Sequence, residues 1–144
     1  MAKPFLFLDV DGVILAEREH LTFIPVGTRE RLARLLPVFE PVWATAWLGA
    51  AHPTFRDDLD LPDESWPYVD YKDFKLTAIL RFAGGRPWAW VDDDAKWELA
   101  SLGDSFRDLP SSLVICPSYK VGITDEHVEA LLAFAEAYDE RGTN

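Results

Sequence analysis

Two aspartates one residue apart, Asp9 and Asp11, follow the apolar run Phe5–Leu8, and Gly12 comes directly after them. A carboxylate at the tip of a strand can act as a nucleophile towards phosphorus. It meets like charge on a phosphate, however, so the site must also supply cations and hydrogen-bond donors. Suitable residues come later in the chain: Thr45, Lys75 and the run Asp92, Asp93, Asp94. Thr45 offers a hydroxyl, and the first free backbone N–H groups of the helix expected directly after it can bind phosphoryl oxygens. Lys75 adds a positive charge. Asp92 and Asp93 could hold a hard cation such as Mg2+, which takes oxygen ligands and commonly keeps waters and a substrate oxygen. Without a metal such an acid cluster is strained by its own repulsion. Asp11 can protonate a leaving oxygen and then deprotonate the water that attacks an aspartyl-phosphate, and Gly12 permits the tight turn that places both acids.

Each residue also has a plainer role. The Asp-x-Asp-Gly run could open a calcium loop, but such a loop needs a third oxygen ligand before its glycine and a Glu at its twelfth position, where this chain has His20. Threonine ends many strands, most lysines are solvated, and one of the three late aspartates is expected to cap the next helix, Asp94 being the best placed. Their order, each at a strand or helix end, favours the catalytic reading.

The elements that must position these residues follow from the hydrophobic pattern. Phe5–Leu8 reads as a strand covered on both faces. The segment from Val10 to Gly27 has no clear period and reads as a turn and flap. A helix capped by Thr28 then carries Leu32, Leu35, Leu36 and Phe39 on one side and is disturbed by Pro37. Pro41–Thr45 is a second strand, followed by a helix from Trp47 to about Arg56 and an acidic loop, DDLDLPDE. A short strand is expected around Tyr68 and Val69, then a helix from Lys75 to Phe82 closed by Gly84 and Gly85. Pro87–Val91 and the run LVIC supply two more strands. The closing helix is capped by Thr124 and shows Val128, Leu131, Leu132, Ala135 and Tyr138 on one side. Strands alternating with helices imply an α/β fold, a parallel sheet within a three-layer α/β/α sandwich whose ligands bind beyond the carboxyl ends of the strands. If the first strand is central and Pro41–Thr45 and Pro87–Val91 flank it, Asp9, Thr45 and Asp92 converge.

The whole chain bounds what such a site can serve. Its 144 residues suit a single domain over 1–144. A formal charge of -11 repels phosphate backbones at long range, so long-range nucleic-acid binding is not expected and an anionic substrate must be captured locally. Cys116 stands alone, which rules out an intrachain disulfide; within SLVICP it reads as a small buried hydrophobe. The apolar stretch after Lys3 is interrupted by Asp9 and Asp11 before it reaches signal-peptide length, and no later run could span a membrane. The expectation is a cytoplasmic protein.

The order Asp-x-Asp, Thr, Lys, Asp-Asp resembles the haloacid dehalogenase superfamily of phosphohydrolases over nearly the whole chain. FLDVDGVI is similar to its first signature, VWATAW to its second, FKLTAIL to its third and WAWVDDD to its fourth. With the later VGIT, these runs most resemble the small domains attached to some RNA-repair proteins. The resemblance implies a Rossmannoid sheet with strand order 3-2-1-4-5 and a minimal or absent cap. It implies Asp9 as nucleophile and Mg2+ ligand, Asp11 as acid and base with its backbone carbonyl on the metal, Thr45 and Lys75 on the phosphoryl group, and Asp92 on the metal. The aspartate at position 11 argues for phosphoryl chemistry over carbon–halogen cleavage. By family analogy, the open site that goes with a missing cap implies bulky substrates, such as polymer ends or proteins, or a cap provided by a partner subunit.

The expected activity is Mg2+-dependent hydrolysis of a phosphomonoester: a nucleotide or nucleic-acid end by family likeness, with small phosphorylated metabolites and phosphoproteins also open. A phosphoryl transferase or mutase, or a non-catalytic phosphate- or partner-binding module, are the alternatives. Six tryptophans could offer stacking surfaces; most read as packing, and Trp47, two residues after Thr45, is the one to test for contact with substrate. His20, His52 and His127 lack metal-ligand spacing, and Arg29, Arg31 and Arg34 read as a solvated helix face.

Overall fold

The computed structural model describes residues 2–102 and 111–142. Phe5–Leu8 forms β1, and all four of its side chains are buried. Alternation sends Phe5 and Phe7 to one side and Leu6 and Leu8 to the other, into two separate cores. On the Leu6 side lie Leu32 and Leu35 of α1 (Thr28–Leu35) and Val128, Leu131 and Ala135 of α5 (Asp125–Gly142). On the Phe7 side lie Leu76, Ile79 and Ala83 of α3 (Lys75–Ala83), with Ala95 and Leu99 of α4 (Ala95–Leu102) packed there too. The fold is therefore α/β, with helices on both faces of a parallel sheet.

That sheet holds four strands: β1, β4 (Glu40–Trp43), β5 (Trp88–Val91) and β6 (Ser112–Ile115), in the order β4-β1-β5-β6. Leu8 is in register with both Trp43 and Val91, and Val91 with Ile115. The register brings the carboxyl ends of all four strands level, so the residues that follow them emerge along one edge. This shared edge turns sequence-distant residues into neighbours.

The strand expected at Tyr68 and Val69 is reduced to a single parallel bridge between Tyr68 and Trp43. The carbonyl of Pro67 accepts from Trp43 and the N–H of Val69 donates to the Trp43 carbonyl, but Pro67 has no N–H with which to extend the ladder. Among the described residues the sheet therefore has four full strands, and beside β4 the expected fifth is represented only by this bridge.

Between β1 and α1 the flap is an antiparallel hairpin, β2 (Ala16–Arg18) with β3 (Leu21–Phe23), turning at Glu19 and His20, both at positive φ. Between β4 and α3 come a 3-10 turn, Leu48–Ala50, the five-residue α2 (Ala51–Phe55) and a loop. The helix expected to run unbroken from Trp47 is split because Pro53 cannot donate to the carbonyl of Gly49 four residues back. Behind β4, buried His52 ties the segment down: its Nδ1 accepts from the Trp43 indole at 3.4 Å and the Trp66 amide at 3.2 Å, while Nε2 lies 2.7 Å from the Pro62 carbonyl. Those partners suit a neutral ring protonated on Nε2.

Three local expectations are corrected. Gly27, at φ 95, holds the cap position of α1, and the Thr28 hydroxyl, inside the first turn, donates to the Pro25 carbonyl. Cys116 is exposed, because β6 is an edge strand that ends at Ile115 and leaves the next residue beyond the sheet. The arginine face of α1 is not simply solvated: Arg31 pairs with Asp125 and Arg34 with Glu129, both on α5, and Arg29 with Asp60. No helix among the described residues is long and apolar enough to cross a membrane.

Candidate active site at the strand tips

Asp9 and Asp92 are the first residues past β1 and β5. The ladder continues through both: Asp9 donates its N–H to Val91 at 3.1 Å and Asp92 to Ile115 at 3.0 Å. Their carboxylates are 6% and 1% exposed as residues, burial that is costly for ionised groups unless they are paired. The partner of both is Lys75 at the start of α3, whose Nζ lies 3.1 Å from Asp9 Oδ2 and 2.7 Å from Asp92 Oδ2. The other oxygens are also held, Asp9 Oδ1 by the Val10 N–H and Asp92 Oδ1 by the Asp94 N–H, each at 2.8 Å.

One lysine does not fully neutralise this cluster. Burial, and then the charge of Asp92, push the Asp9 carboxyl up to about 7 against the attraction of Lys75. Asp93 is pushed up to about 6 by burial and by its neighbours Asp94 and Asp92. For Lys75, burial works against the charge, but the two carboxylates outweigh it and hold the ammonium above its usual range.

Carboxylate oxygens of Asp9, Asp92 and Asp93 lie within 4.8 Å of one another. Hard oxygen donors in excess of local positive charge suit a divalent cation such as Mg2+, so the residues fit the ion. The Asp11 carboxylate is not in that trio. It turns to Trp47, whose indole N–H donates to Asp11 Oδ2 at 3.1 Å.

Thr45, completely buried, lies just past β4. Its placement follows from the ladder, since Ala44 donates to the Leu8 carbonyl at 2.8 Å. Thr45 Oγ1 accepts from the Trp47 N–H at 3.2 Å and its carbonyl accepts from Leu48 at 3.0 Å. The Trp47 and Leu48 amides are thus turned back onto Thr45. Asp94 directly precedes α4, and its carbonyl accepts from Trp97.

Supporting residues appear that sequence reasoning passed over. Glu98 of α4 accepts the Leu76 N–H at 2.9 Å, satisfying a free amide in the first turn of α3 and fixing the helix that presents Lys75. Tyr71 packs its ring 5.6 Å from Lys75 Nζ. Gly122 of the VGIT run, at φ +77, sits where a β-carbon would be 2.7 Å from the Val13 carbonyl, and that carbonyl accepts from Ile123; the run pins the loop after β1. Glu98 sits three residues into a helix beside an acidic run, which by itself signals only solvation. Of the tryptophans, Trp43, Trp66, Trp88 and Trp90 are core, Trp97 is exposed and Trp47 is half-buried.

The sequence matches no protein-family model and no curated protein.

Proposed function

We propose that this protein is a Mg2+-dependent phosphohydrolase that cleaves phosphomonoesters through an aspartyl-phosphate on Asp9. The observation that carries the reading is one ammonium, Lys75, shared by two buried carboxylates at adjacent strand tips, with a third carboxylate in reach of the same point. A structural ion pair needs one acid. Here the excess of acid is retained at the sheet edge where α/β folds bind ligands.

In this reading an oxygen of Asp9 attacks phosphorus and the bond from phosphorus to the ester oxygen breaks. Asp11 gives its proton to the departing oxygen, releasing an alcohol. Water then attacks the phosphorus of the aspartyl-phosphate, Asp11 takes a proton from that water, and the bond to Asp9 breaks to release phosphate and restore both acids. The Thr45 hydroxyl and the Lys75 ammonium bind phosphoryl oxygens throughout. Asp9, Asp92 and Asp93 would hold the Mg2+, which when bound supplies positive charge against that of the phosphate. The motif order, which resembles that of the haloacid dehalogenase superfamily, supports the same assignment and favours a nucleotide or nucleic-acid end as substrate.

The test is phosphate release from an aryl phosphate, then from nucleotides, oligonucleotide ends, sugar phosphates and phosphopeptides. Turnover should require Mg2+, stop with EDTA and vanish in Asp9→Asn. Undiminished turnover in Asp9→Asn would refute the covalent route.

A further inference from the structure

Trp47 touches two parts of the site at once. Its backbone N–H donates to Thr45 Oγ1 at 3.2 Å, and its indole N–H donates to Asp11 Oδ2 at 3.1 Å. The ring is itself fixed, edge-on against buried Phe55 with centroids 5.1 Å apart and an interplanar angle of 66°. Asp11, by contrast, is exposed, and an exposed aspartate ordinarily samples several rotamers at a cost in order when it must act in one.

We infer that Trp47 is a positioning residue for Asp11, holding it by Oδ2 and leaving Oδ1 to carry the proton, and that the site is thereby built for esters of alkyl alcohols such as sugar hydroxyls. This rests on the phosphohydrolase reading above. An alkoxide leaves poorly unless a proton reaches its oxygen as the bond to phosphorus breaks; that proton comes from Asp11 and ends on the alcohol. A nitrophenolate or the carboxylate of a mixed anhydride departs as a stabilised anion and gains little from a positioned acid. In the step that forms the aspartyl-phosphate, a rigid aromatic anchor on the acid therefore matters most for the first kind of substrate.

The experiment compares para-nitrophenyl phosphate with benzyl phosphate, esters of similar size that differ in leaving-group basicity, in the wild type, Trp47→Phe and Asp11→Asn. Phenylalanine keeps a ring against Phe55 and loses the N–H. The ratio of kcat/KM for benzyl to para-nitrophenyl phosphate should fall at least about tenfold in Trp47→Phe, and further in Asp11→Asn, in line with the usual worth of general acid catalysis. A wild-type Tm and circular dichroism spectrum report that each variant is folded, and kcat/KM, which extends only to formation of the aspartyl-phosphate, separates the acid step from the later work of Asp11 as base. Equal losses on both esters, or no loss on either, would overturn the positioning role. A wild type that cleaves para-nitrophenyl phosphate and leaves benzyl phosphate untouched would overturn the assignment to alkyl esters. A wild type inert on both with Mg2+ present would instead remove the phosphohydrolase reading and this inference with it.

Discussion

A β-carbon at Gly12 would stand 2.3 Å from Cγ of Asp93, so the glycine of the first acidic turn and an acid of the last are packed together with no space between them. Gly12 also has φ +81, a backbone region that residues with side chains adopt at a cost. Gly12→Ala should therefore displace Asp93 or the turn, lowering Mg2+ affinity and turnover by about tenfold or more. Titration calorimetry with Mg2+ and initial rates on an aryl phosphate measure the two effects.

Lys75 should be worth more without metal than with it. Lys75→Ala leaves Asp9 and Asp92 facing each other without a counter-charge, and breaking a buried pair this way costs about 3–5 kcal/mol. Urea unfolding at pH 8 should show a loss of that order in EDTA and a smaller one in millimolar Mg2+. Equal losses in both media would mean that the ion does not bind among these carboxylates.

The pH dependence follows from Asp9. Its carboxyl rises from 3.8 to about 7 in the folded chain, so between those values the folded state holds a proton that the unfolded state has lost. Its contribution to stability is fully present below about 3.8 and is lost as pH rises through about 7. Other acids titrate in the same range, so the measurement is the difference between wild type and Asp9→Asn in EDTA. Relative to the variant, the wild type should weaken between about pH 4.5 and 8 by on the order of a few kcal/mol. Mg2+ should reverse much of that decline at the alkaline end, because it binds the ionised form.

Glu98→Ala removes the acceptor for the Leu76 N–H at the start of α3. Loss of such a cap costs about 1 kcal/mol, visible as a lowered Tm. Because Lys75 is the first residue of the same helix, turnover should fall several-fold as well, while Glu98→Gln, which keeps an oxygen acceptor, should recover most of both.

Much of this was legible in the chain. Apolar runs that end in Asp9, Thr45 and Asp92 announce strands delivering polar groups to one edge, because alternation with helices demands parallel pairing and parallel strands share an end. The cap of α5 was equally readable: Thr124 Oγ1 accepts from the His127 N–H at 3.3 Å, a bond between near neighbours in sequence. Thr28 misled for a related reason, since Gly27, able to take φ 95, let the helix begin one residue earlier. Cys116 misled because edge or centre position, not the run SLVIC, decides where a strand's following residue lies.

The amino-acid order alone determined the parallel α/β sheet and the list of acids, hydroxyl and amine at its tips, since hydrophobic period and strand ends are local properties. Only the tertiary structure decided who touches whom: that Lys75 bridges Asp9 and Asp92, that Asp93 closes on Gly12, and that Trp47 takes Asp11. These contacts join residues from separate strands and loops. Their distances depend on strand register and helix packing, which are settled by burial of the two cores on either side of β1 and leave no mark in any single stretch of the chain.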